Sequence, residues 1–174
     1  MSEKIFQELQ HLPGLPLTKA TRLGHVQFFH FGKAQVTNAY GLILDVGAWT
    51  LEVACYWQLE QPGETGIQFH EVELPRDARA LADPAFDPQV PGSNLRDRKL
   101  QELVRQPSEQ LRVQQVTVSP DGELTIALGG NQGLLVSPAK GVLEEAGHFW
   151  RLFSNTGDRQ AVAFGRAGVE RSQG

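Results

Sequence analysis

Two short segments of this 174-residue chain carry one pattern, Tyr56-Trp57-Gln58-Leu59 and Phe149-Trp150-Arg151-Leu152. Upstream of each lies an alternating apolar stretch, a turn and a second apolar stretch. Alternation puts every second side chain on one face of a strand. The chain therefore reads as an α+β, mainly β, single domain over 1–174. Two antiparallel β-meanders, about 20–75 and about 110–165, form a sandwich or partial barrel with two short flanking helices. A loop and helix over 76–107 join them. The likeness between the halves reads either as internal duplication or as two meanders sharing generic patterning.

Thr50 to Leu59 is the clearest strand: Leu51, Val53, Cys55, Trp57 and Leu59 fall on one face, expected to be core. Val26, Phe28 and His30 alternate with Gln27, Phe29 and Phe31 in an earlier strand. Residues 32–38 read as a loop, 40–46 as the next strand, and 67–74 as a weaker one. In the second half, 112–118, 123–128, 134–136, 148–153 and 160–164 read as strands, and the polar tail from Arg166 as a fraying end. Ser119-Pro120-Asp121-Gly122 is a hairpin turn. A Ser2-capped helix carries Ile5, Phe6, Leu9 and Leu12 on one stripe. A Ser93-capped helix buries Leu100, Leu103 and Val104, with Asp97 facing Gln101 and Arg96, Arg98, Lys99 and Arg105 outside.

The formal charge of −4 and pI near 5.7 argue against nucleic acid as a partner, since such binding starts with phosphate neutralisation. Residues 1–87 hold 6 basic and 11 acidic groups, a first half suited to a basic partner. No run approaches the roughly 18 apolar residues of a membrane span, and the first residues lack the pattern of a secretory signal. A cytoplasmic protein without membrane association is expected.

No catalytic constellation emerges. Cys55 is the one cysteine, and its place between Val53 and Trp57 makes it a small buried hydrophobe. His11, His25, His30, His70 and His148 show no metal-ligand spacing, and no cofactor is implied. Asp83, Asp87, Asn94 and Asp97 offer oxygen ligands in no known spacing, so no metal is assigned. Seven residues remain as candidates for ligand or partner contact. His30 reads as a hydrogen-bonded histidine on an apolar face. Tyr40 and Trp49 offer rigid contact area, with Trp49 exposed at a turn. Phe86 and Asp87 lie on the proline-rich connection, a long loop of the kind that carries function or simply connects. His148 and Arg151 flank Trp150, with His148 facing a cleft beside Glu144 or Glu145.

The run Asp87…Gly92-Ser93-Asn94-Leu95-Arg96-Asp97-Arg98-Lys99-Leu100, the strands to Pro138, Glu144-Glu145 and His148-Phe149-Trp150-Arg151-Leu152-Phe153 resemble a family of small, β-rich, uncharacterised bacterial proteins. More loosely, they resemble immunity proteins encoded beside secreted toxins. The resemblance covers residues 87–165 and implies fold, with no catalytic residue. Together with the lack of a catalytic constellation and the acidic first half, it leads to the expectation of a protein-interaction module, in its specific form an immunity-like inhibitor of a toxin. The alternative is a small-molecule-binding cleft using His30, Tyr40 and Trp49. A homodimer is compatible with either.

Overall fold

The Thr50–Leu59 run lies at the centre of the fold, and its expected inward face holds: Leu51, Val53, Cys55, Trp57 and Leu59 are all fully buried, with Thr50 and Ala54 of the other face buried as well. It is nevertheless two strands. Ala54, whose N–H donates to the Phe149 carbonyl at 2.8 Å, marks the point where the chain leaves one sheet for another.

The computed structural model describes residues 3–77, 84–142, 147–157, 160–165 and 168–173. Helix α1 (Glu3–Leu9) precedes β1 (Leu17–Leu23), β2 (Val26–Phe31), β3 (Ala34–Thr37), β4 (Ile43–Val46), β5 (Trp49–Val53), β6 (Cys55–Glu60) and β7 (Ile67–Gln68). Helix α2 (Leu95–Leu103) then leads to β8 (Val113–Val118), β9 (Leu124–Leu128), β10 (Gly133–Val142), β11 (Trp150–Ser154), β12 (Gln160–Gly165) and β13 (Gly168–Gln173). The fold is mainly β, with antiparallel sheets packed as a sandwich and not closed into a barrel. One sheet has the order β1-β2-β5-β11-β12-β13 and the other β7-β6-β10-β9-β8; β3 and β4 pair only with each other. The sheets meet over one core, where the Phe29 ring stands edge-on to Trp57 at 5.1 Å.

The two halves trace the same path. Three strands form a meander in one sheet (β1, β2, β5; then β8, β9, β10), and the next two pair in the opposite sheet (β6, β7; then β11, β12). Trp57, the third residue of β6, and Trp150, the first of β11, lie on the two crossing strands, both fully buried. The halves differ sharply between their second and third strands. The second half turns from β9 to β10 in Gly129–Gln132, whereas the first inserts the whole β3–β4 hairpin.

Several expectations are corrected. β1 was not expected: its Thr18, Lys19, Thr21 and Arg22 hide the strand pattern, and it pairs on one side only. Residues 34–37 are a strand and not a loop; the strand expected over 40–46 is present as β4 (Ile43–Val46), paired in an outlying hairpin that leaves Ile43 and Leu44 exposed. Residues 69–73 form a 3-10 turn in place of a strand. The tail forms β13 against β12. Asn94, not Ser93, caps α2 by accepting from the Asp97 N–H at 2.8 Å. Phe6 is half exposed. Ser2, Asp83, Glu144 and Glu145 lie outside the described residues.

Arg96 departs furthest from expectation. It is fully buried, its guanidinium 5.3 Å from the Trp57 ring and 5.4 Å from Phe69, donating to the carbonyls of Phe69 and His25. Burial pulls its pKa down to about 10. Aromatic faces and backbone carbonyls take the place of a carboxylate.

Candidate functional site

The outer face of the six-stranded sheet carries a row of polar residues set by strand register: Lys19 on β1 opposite His30 on β2, and His30 opposite Thr50 on β5. Period-two alternation sends Phe29, Phe31, Leu51 and Val53 to the core and leaves these residues outside. The β3–β4 hairpin rises beside this row, and between them lies an open cleft of about 870 Å³. Thr18, Lys19, His30, Lys33, Asp45 and Asn155 are among its lining residues.

His30 is half-buried and bonded at both ring nitrogens. The Asn155 amide nitrogen donates to the Gly47 carbonyl at 2.9 Å and to Thr50 Oγ1 at 2.7 Å. A carbonyl can only accept, which fixes the orientation of that amide. Thr50 Oγ1, which accepts from Asn155, also pairs with His30 Nδ1 at 3.0 Å. Nε2 pairs with Thr21 Oγ1 at 2.9 Å, so in the neutral ring one nitrogen donates to a threonine hydroxyl and the other accepts from one. Burial, aided by the nearby Lys19 charge, lowers the pKa of this ring below that of a free imidazole. The cleft floor is therefore a rigid, neutral polar surface.

Two positions further along the sheet, Arg151 on β11 lies opposite Glu52 on β5. His148 Nε2 donates to the Glu52 carboxylate, and Arg151 Nε stands 3.6 Å from it. The His148 hydrogen bond, with the charges of His148 and Arg151, holds the Glu52 carboxyl below the usual carboxylate range, against the opposing effect of burial. The Arg151 guanidinium also covers the Phe153 ring at 4.5 Å. Glu52 thus joins His148 by a hydrogen bond and Arg151 by charge.

The seven candidate residues thus separate. His30, His148 and Arg151 share one sheet face, but only His30 lines the cleft. Tyr40, at the hairpin tip, is 90% exposed. Trp49 is buried, contrary to expectation, because its β5 position faces inward and His11 stacks on it at 4.7 Å. Phe86 is partly buried and Asp87 exposed, on a loop far along the sequence from the cleft residues. That loop is tied down by Arg22, which donates to Asp97 and to the carbonyls of Pro88 and Val90. Asp97, expected to face Gln101, accepts from Arg22 Nε at 2.9 Å and from the Gly92 N–H at 2.8 Å.

Sequence reasoning missed Lys19, Lys33 and Asn155. Lys19 lay in the unrecognised β1, and Asn155 in a turn whose side chain reaches 105 residues back to Thr50. Cys55 is fully buried and its thiol pushed up to about 12 by burial. Among the described residues no group of three or more His, Cys, Asp or Glu could hold a metal ion, and no helix is long and apolar enough to cross a membrane. No family model, no curated protein and no solved structure matches this chain.

Proposed function

We propose that this chain is a cytosolic protein-interaction module that docks on a partner protein through the tip of the β3–β4 hairpin. One observation carries the reading. The hairpin is an insertion that the second half manages without, and Tyr40, Leu42, Ile43 and Leu44 on it are 90%, 60%, 68% and 43% exposed. Clustered exposed apolar groups of this kind mark contact surfaces. A rigid tyrosine flanked by aliphatic side chains suits an apolar groove on the partner. The acidic surplus of residues 1–87 suits a basic rim around that groove. An immunity-like inhibitor bound to a toxin is the specific form of this proposal, and it rests on the resemblance over residues 87–165.

Capture from native lysate with the wild-type chain and with a Y40S/L42S/I43S variant tests it. The expected result is a protein retained by the wild type and lost from the variant, with unchanged melting temperature. Identical retention by both, no retention by either, or a wild-type homodimer that the variant abolishes would overturn it.

A second reading, a ligand-binding protein without catalytic activity, is favoured by the cleft over His30. The two readings are compatible, since the hairpin tip and the hairpin base present different chemistry.

A further inference from the structure

We propose that the cleft between the β3–β4 hairpin and the sheet binds a small-molecule oxyanion, a phosphate or carboxylate group, between Lys19 and Lys33. Among the described residues neither lysine forms an ion pair, and both are exposed at the cleft lining. Among the described residues the one carboxylate lining the cleft, Asp45, accepts from Gln35 Nε2 at 3.2 Å. Two ammonium groups against one carboxylate leave a local positive surplus on a chain whose formal charge is −4.

The floor adds no charge, because His30 has both nitrogens committed to threonine hydroxyls. It adds rigidity. Gly47 packs against the His30 Cβ, and Asn155 ties the Gly47 carbonyl to Thr50. A floor held in place leaves little ordering cost to be met on binding. The volume of about 870 Å³ falls in the range of small-molecule sites. The acidity of the whole chain selects against a polyanion such as nucleic acid and leaves a small anion as the matching ligand.

The test is thermal denaturation of the full chain, titrated with inorganic phosphate in one arm and citrate in another, at constant ionic strength set with chloride. Phosphate and citrate raise melting temperatures non-specifically by exclusion from the protein surface. The decisive comparison is therefore with K19A/K33A, and with K19Q/K33Q should the alanine variant fold poorly. A saturable rise in the wild type with phosphate, citrate or both, with half-saturation at least tenfold weaker in the lysine variant, supports the site and identifies the anion class. Absence of saturation in both arms, or equal saturation in the lysine variant, overturns it. Y40S/L42S/I43S is expected to bind the anion as the wild type does, so the cleft and the docking tip stand or fall separately.

Discussion

Gly47 and His30 approach so closely that a β-carbon added at residue 47 would stand 2.9 Å from the Cβ of His30. Real β-carbons do not tolerate that separation, and neither atom sits at the end of a flexible side chain. The contact sets the His30 ring between Thr21 and Thr50 and gives the cleft its floor.

G47A is accordingly expected to destabilise the fold by about 1–3 kcal/mol, the usual cost of overpacking. G141A, where an added β-carbon meets nothing within 4 Å, is expected to change stability little. Urea denaturation of both variants checks the difference. Equal midpoints would show that the floor yields freely.

Protonation of His30 requires whichever threonine hydroxyl donates to the ring to turn away, and burial disfavours the charged ring. The folded-state pKa lies below the free value, so the unfolded chain binds the proton first. Stability is complete above about pH 6.5 and falls as the pH drops through and below it. Melting temperatures followed from pH 7.5 to pH 5 are expected to fall more steeply in the wild type than in H30Q. Parallel curves would contradict the assignment.

The Cys55 thiol behaves in the opposite sense. Its pKa, pushed up to about 12, keeps the folded thiol neutral while the unfolded thiol ionises near 9. Stability is therefore lost as the pH rises from 9 towards 12. C55A loses packing at neutral pH, but its stability is expected to decline less over that alkaline window. At pH 8 the native thiol is expected to resist a disulfide reagent and to react fully in denaturant. Rapid native labelling would place the sulfur at an accessible surface and reopen nucleophilic chemistry.

Arg22 and Asp97 form a nearly buried pair, with side chains 4% and 10% exposed, that fastens the 84–93 connection to β1. Removing one partner strands the other charge, at about 3–5 kcal/mol. D97A and R22A should each melt well below the wild type and become cleavable by protease in this loop. The R22M/D97L double variant is expected to be more stable than either. Additive losses would instead mean that the two groups act independently.

The fold was legible where period-two burial was strong. Leu51 through Leu59 could be assigned to the core because alternation continues across Ala54, although nothing in the residues announces the change of sheet there. Trp57 and Trp150 were legible as buried members of the crossing strands because each alternates with polar neighbours there. Upstream, β8 corresponds in its path to β1, a strand that polar outer-face residues conceal in the sequence. The strand at 43–46 was legible, but the exposure of Leu42, Ile43 and Leu44 was not, since it depends on β4 having no second neighbouring strand, which composition does not encode. Arg96 was misplaced because a charged side chain on a short helix normally faces water, and the rings that accept it lie 39 and 27 residues away in sequence. The cleft was legible only in His30, since it is assembled from β1, β2, the hairpin and the turn at Asn155.

The most direct measurement is photo-crosslinking in the native cell with benzoylphenylalanine in place of Tyr40, compared with the same group in place of Gln115 on the exposed face of β8. A discrete adduct with one other protein at position 40, absent at position 115, is the predicted result. No adduct at position 40, equal adducts at both positions, or an adduct containing only a second copy of the chain would contradict docking through the hairpin.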